Sequence, residues 1–187
     1  VKDNWLVLGI TFGTEDKLSF RRTWLRGEKT GSYALLLDFS FGNRGFETHW
    51  ITGSVLDGTL LFYPGQPRFR AAFQQFHPSR SPYDSPSAYQ QLSDMQTAYA
   101  SALGQSPWLI AFPALLESIT PYYDQATANF ALVDEQNLTL PLKNNNASWQ
   151  LLAMSGGQAI TVFGEYDGNT FQAISAFYQG RVVLLDK

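Results

Sequence analysis

Tyr33-Ala34-Leu35-Leu36-Leu37-Asp38-Phe39-Ser40-Phe41 decides the fold class. Read with the two-residue period of a strand, Tyr33, Leu35, Leu37, Phe39 and Phe41 share one face, and Ala34, Leu36, Asp38 and Ser40 the other. The Leu/Phe face is the expected core face. Asp38, opposite it, is expected to meet solvent or an arginine on the neighbouring strand, with Arg22 the expected mate because an unpaired buried carboxylate is costly. The same alternation, with β-branched and aromatic enrichment between turn residues, predicts strands at 5–12, 18–26, 32–41 and 55–63. Gly27-Glu28-Lys29-Thr30-Gly31 and Gly42-Asn43-Arg44-Gly45 supply the glycines of tight reversals. No crossover helix fits between these strands, so an antiparallel meander is expected.

Beyond Tyr63-Pro64-Gly65 the period changes. Phe69, Ala72, Phe73 and Phe76 follow helical spacing up to His77-Pro78, and residues 79–86 read as a loop. Ser85 then reads as an N-cap with Pro86 at the first helical position. Tyr89, Leu92, Gln96, Tyr99 and Leu103 trace one face of that helix until Gly104. The apolar run 107–119, broken by Pro113, reads as two short helical pieces. Strands return near 129–133, 138–142, 149–154, 159–166, 170–178 and 181–185, with Asn144-Asn145-Asn146 as a surface loop and Asp167-Gly168 and Gln179-Gly180 as tight hairpins. The expected fold class is therefore α+β, mainly antiparallel β, with a meander-like first sheet, C-terminal hairpins and a helical insertion at about 66–119. No repeat of 20–50 residues is visible. A single domain over 1–187 is expected, with 1–65, 66–119 and 120–187 as its natural subdivision.

Composition narrows the function classes. The 187 residues are 44% hydrophobic and 16% charged, below the roughly 25% charged of ordinary globular chains, so the sequence can bury a core and is not disordered. Without cysteine it has no disulfide, thiol nucleophile or Cys-ligated metal of its own. Its longest apolar stretches fall far short of the roughly 20 residues of a membrane-spanning helix, and no membrane partner is expected. The net charge of −3 hides an asymmetry: residues 1–80 hold ten Lys/Arg against seven Asp/Glu, and the remainder three against nine. Val1-Lys2-Asp3-Asn4 runs directly into a strand without a signal-peptide pattern, as expected of a piece of a longer protein.

Several stretches carry a family likeness: Arg21-Arg22-Thr23-Trp24-Leu25-Arg26-Gly27, Ala34 to Phe39, Leu61-Phe62-Tyr63-Pro64-Gly65, Trp149 to Gly157 and Thr161 to Gly168. Together they resemble the region downstream of the zinc finger in bacterial SWIM zinc-finger proteins. The Cys-x-Cys…Cys-x-His module that names the family is absent, so no cofactor is expected in this chain. The resemblance implies an upstream module that binds zinc and contacts protein or nucleic acid, and a bacterial cytoplasmic setting.

Among candidate binding residues, Arg21, Arg22 and Arg26 surround Trp24. On a strand Arg22 and Trp24 share a face, and guanidinium groups beside a ring suit phosphate and a stacked base. Solvated arginines paired with Glu15, Asp16 or Glu28, around a core Trp24, are the structural alternative. Asp38, Glu165 and Asp167 form the candidate acidic site if the protein is a hydrolase or sugar-binding domain. His49 and His77 lack metal-ligand spacing, and Ser155-Gly156-Gly157 is neither a nucleophile elbow nor a phosphate loop but the expected turn of a hairpin. Tyr63, Tyr122, Tyr123, Tyr166 and Tyr178 lie near element ends, where a half-buried ring can keep its hydroxyl in water. The expected function is a non-enzymatic interaction or scaffolding domain with a protein partner; a carboxylate-based hydrolase or sugar binder, and nucleic-acid binding through the arginine/Trp strand, are the alternatives.

Overall fold

A computed structural model describes residues 1–42, 45–79, 83 and 85–186. Asn43 and Arg44 of the expected 42–45 reversal, and Arg80, Ser81, Pro82 and Asp84 of the expected 79–86 loop, lie outside the described residues. The chain divides into two compact units, Val1–Pro86 and Ser87–Lys187. The mainly antiparallel α+β class expected from sequence is the one observed. The unit boundary falls at 86/87, whereas position 65/66 lies inside the first unit and 119/120 inside a strand of the second.

The first unit contains β1 (Lys2–Glu15), β2 (Leu18–Gly27), β3 (Tyr33–Phe41), β4 (Val55–Phe62) and β5 (Ala71–Pro78), in the order β3-β2-β1-β4-β5. The four expected strands are all present, but only β1 to β3 form a meander. β4 returns to the free edge of β1, pairing Lys2–Leu6 with Val55–Thr59. A parallel bridge between Leu35 and Arg70, in which Leu35 N–H donates to the Phe69 carbonyl at 2.7 Å, joins β3 to the residues just ahead of β5.

β5 replaces the helix expected over 69–76. Leu60 faces Phe73, Thr59 faces Gln75 and Gly58 faces Phe76, so Gln74 is an extra residue in a bulge. The bulge brings Phe73 and Phe76, three apart in sequence, onto one face with ring centroids 4.8 Å apart. A three-residue aromatic spacing therefore arises within a strand.

The inward face of β3 is also the reverse of that expected. Ala34 and Leu36 enter the core with Trp5, Val7, Leu25, Leu56 and Leu60, while Phe39 and Phe41 are 53% and 67% exposed. Core closure by smaller side chains leaves the larger rings outside.

Asp3 stabilises the β2–β3 connection. Although almost fully buried, its carboxylate accepts from Asn4 N, Lys29 N, Thr30 N and Thr30 Oγ1 at 2.8–3.1 Å. Burial pushes its pKa up, but the Thr30, Lys29 and Asn4 hydrogen bonds together outweigh that and hold it below the ordinary carboxylate value. A depressed folded-state pKa contributes stability that is present above the unfolded value of roughly 3.9 and lost as pH falls through the folded one. Asp3→Asn is thus expected to lose less stability between pH 5 and pH 2.5 than the parent does, as read from urea midpoints.

The second unit contains α1 (Leu92–Gln105), β6 (Phe112–Asp124), β7 (Asn129–Val133), β8 (Thr139–Leu142), α2 (Asn146–Ser155), β9 (Ile160–Tyr166), β10 (Phe171–Tyr178) and β11 (Arg181–Leu184). β6, β7 and β8 form a meander, β9 returns to β6, and β10 pairs with both β9 and β8, meeting β8 in parallel at Phe171–Leu142. The expected hairpins at Asp167-Gly168 and Gln179-Gly180 join β9 to β10 and β10 to β11.

Three expectations fail in this unit. Of the run 107–119, residues 112–119 start β6 and 107–111 lead into it as a turn with Trp108 and Ile110 exposed; the strand part misleads because a strand covered on both faces is as continuously apolar as a buried helix. Pro113 is tolerated where β6 is laddered to β9 alone, β7 joining only from Thr120. α1 begins at Leu92, not after Ser85: the Asp134 carboxylate, from another loop, accepts Leu92 N–H at 3.0 Å, while Tyr89 bridges Leu116. Residues 149–154 are helical because Asn145 caps α2, accepting Ser148 N–H at 3.2 Å, and Gly156 ends it at φ 58°. Asn145 and Gly156 are thus helix caps rather than parts of a loop and a hairpin. Asn145→Ala is expected to cost about 1 kcal/mol, measurable as a lower urea midpoint.

Both units follow one path: a three-strand meander, a fourth strand returning to the first, and a fifth running parallel to the third. That is the connectivity of the five-stranded Greek-key barrel of oligonucleotide- and oligosaccharide-binding (OB) type. α2 occupies the connection between third and fourth strands in the second unit. In the first, the same connection carries Trp50, which packs on Phe73 and Phe76 with centroids 5.7 and 5.2 Å away.

Candidate ligand groove of the first unit

The β2/β3 register sets the site. Arg21 lies opposite Asp38, and Trp24 opposite Leu35. Arg21 points into the barrel end, 4% exposed; its Nε and Nη2 donate to Asp38 Oδ2 at 3.0 and 2.7 Å and its Nη1 to the Thr48 carbonyl at 2.7 Å. Phe46 lies 4.6 Å from its guanidinium carbon, and Trp50 Nε1 donates to the same Asp38 oxygen at 3.1 Å. The expected Arg22–Asp38 pair is replaced by Arg21–Asp38, because both residues lie on the inward face.

Of the arginine/Trp set, Trp24 is buried and meets Phe69 edge-on at 5.6 Å, and Arg26 lies over Tyr33 at 4.1 Å. Arg22 and Arg26 are half-buried on the outer face of β2. Trp24 shares that face but has no exposed ring surface for stacking.

Three hollows run in succession beside β3. The first, about 230 Å³, lies between β3 and β5 and is lined by Leu37, Asp38, Trp50, Tyr63, Arg70 and Phe73 among others. The second, about 520 Å³, shares Leu37, Asp38 and Thr48 with it and continues past Phe39 and Phe46 to Phe41. A third hollow shares Phe41 and reaches Lys17 and Leu18 in the β1–β2 turn. The track thus extends from the β4–β5 loop to the β1–β2 turn, about 20 Å at 3.3 Å per strand residue. Aromatic side chains line it throughout.

Its charge is polarised. At the β4–β5 end Arg68 and Arg70 are exposed and Arg70 lies over Tyr63 at 5.1 Å. Glu47 lines the middle, and Glu15 and Asp16 accompany Lys17 at the far end. Among the described residues the cationic grip is therefore concentrated in the β4–β5 loop. No local sequence pattern marks Trp50, Phe73, Arg68 and Arg70 as one site; the alternation Arg68-Phe69-Arg70, two residues beyond Tyr63-Pro64-Gly65, is the signal that points to part of it.

The candidate acidic residues are divided between units, Asp38 in the first and Glu165 and Asp167 in the second. Asp167 accepts from Asn169 N, Thr170 N and Thr170 Oγ1, so its carboxylate organises the β9–β10 turn. His49 and His77 are exposed, and among the described residues no group of three or more His, Asp or Glu side chains is placed to hold a metal ion. Among the described residues no helix is long and apolar enough to cross a membrane. Tyr63, Tyr122 and Tyr178 are partly exposed as expected, whereas Tyr166 is buried and its hydroxyl donates to the Gly168 carbonyl.

No family model, no curated protein and no solved structure matches this chain. The geometry of the groove therefore carries the functional reading.

Proposed function

We propose that this chain is a non-enzymatic binding module that holds an extended single-stranded nucleic acid along β3 of the first unit. The observation that carries the reading is the aromatic track of hollows beside β3, with Arg70 lining its β4–β5 end and the exposed Arg68 two residues before it. Support comes from fold-level analogy: barrels of this connectivity bind oligomers across their second and third strands, between the loops that here are β1–β2 and β4–β5. It also comes from chemistry, since exposed rings stack bases of any sequence and guanidinium groups grip phosphates. The resemblance to SWIM proteins points the same way, zinc belonging in this proposal to an upstream module that contacts nucleic acid or protein.

The test is fluorescence anisotropy with a labelled deoxythymidine 12-mer across a salt series. Two phosphate contacts on a single strand predict a log K against log salt slope of about −1.4. Arg68→Ala with Arg70→Ala is expected to weaken binding about tenfold at low salt and flatten the slope towards zero. Binding that is absent at low salt, or insensitive to salt and to both substitutions, overturns the reading.

A second observation favours a protein partner elsewhere. Trp108 and Ile110, ahead of β6, are 88% and 85% exposed, and burying such side chains on a partner is favourable. Pull-down of a defined protein by the parent but not by Trp108→Ser would support this interaction reading.

A further inference from the structure

Asp38 stands at the junction of the first two hollows and uses its two oxygens unequally. Oδ2 takes all three side-chain donors, Arg21 Nε, Arg21 Nη2 and Trp50 Nε1. Among the described residues no donor reaches Oδ1. The side chain is 34% exposed and lines both hollows, beside Trp50 and Phe73 in one and Phe46 in the other. A carboxylate oxygen accepts and cannot donate, and its pairing with Arg21 and Trp50 fixes the orientation of the group.

We propose that Asp38 Oδ1 makes the groove select bases bearing an exocyclic amino group, cytosine being the simplest, over thymine. The inference rests on the nucleic-acid reading of the same groove. A base stacked against the aromatic wall presents its Watson–Crick edge to Asp38. Cytosine then offers its 4-amino donor, whereas thymine places a carbonyl oxygen at that position, against an acceptor. One charge-assisted hydrogen bond gained, set against an acceptor–acceptor clash, corresponds to a preference of about tenfold.

The experiment compares three 12-mers on the wild-type chain at one salt concentration: deoxycytidine, deoxythymidine, and a 2-pyrimidinone strand that is cytosine without its amino group. The deoxycytidine strand is expected to bind about tenfold more tightly than the deoxythymidine strand, with the pyrimidinone strand, which has neither the donor nor the clashing carbonyl, between the two. Equal, salt-dependent binding of all three would overturn the role of Asp38 while leaving the nucleic-acid reading intact; no binding at low salt would overturn both. Asp38→Asn is expected to remove the preference with deoxythymidine binding retained, but it also disturbs the partner of Arg21. The Asp38 carboxylate carbon resonance supplies a readout without substitution, moving on titration with the deoxycytidine strand and not with the pyrimidinone strand. Equal movement with both would also overturn the proposal.

Discussion

Replacing Gly164 by alanine is expected to destabilise the second unit by about 3–4 kcal/mol. Gly164 lies in β9 between Ala114 of β6 and Ala173 of β10, laddered on both sides. A Cβ there would stand 2.2 Å from the Gln172 carbonyl oxygen and 2.6 Å from the Phe171 ring. The backbone atom cannot yield without parting β9 from β10, and that ladder helps close the barrel. Gly156→Ala is the control: its Cβ would meet nothing, and its left-handed φ of 58° carries only the ordinary penalty of about 1 kcal/mol. Global-opening free energies from amide exchange in β9 and β10 provide the measurement. Similar losses in the two variants would contradict the close approach of β9 to β10.

The second large effect is expected at Asp38. Asp38→Ala should cost the first unit about 3 kcal/mol, because it strands the buried Arg21 guanidinium without its counter-charge and removes the acceptor of Trp50 Nε1. The partial exposure of Asp38 keeps the figure at the lower end for broken ion pairs, since water can reach the vacated site. Removing both charges should hurt less than removing one: Arg21→Met combined with Asp38→Leu is expected to recover most of the loss, as apolar pairs of similar volume commonly do. Urea midpoints of Arg21→Met, Asp38→Leu and the double variant test this. Additive single losses would show that Arg21 and Asp38 are not energetically coupled.

Much of the barrel framework was legible locally. Alternation and glycine-bounded turns located β1 to β4, and Asp167-Gly168 and Gln179-Gly180 marked the final hairpins, because those turns are closed by their own residues. Asn145 and Gly156 carry legible cap chemistry, yet the run Trp149 to Met154 by itself suits a strand as well as the helix it forms. The groove was less visible. Its members Asp38, Trp50, Tyr63, Arg70 and Phe73 are brought together by the closure of β3 upon β5, a pairing between residues 35 and 70 that no local pattern announces.

The sequence by itself determined an antiparallel-dominated α+β protein without thiol chemistry and with its positive charge in the first half, because composition and nearest-neighbour periodicity are properties of the chain. Only the tertiary structure decided which face of β3 is inside, that Arg21 and not Arg22 meets Asp38, and that Phe73 and Phe76 share a strand face. Each of these depends on the register of a distant strand or on one bulged residue. A one-residue shift in strand register exchanges the faces of every side chain, and the local sequence does not encode that shift.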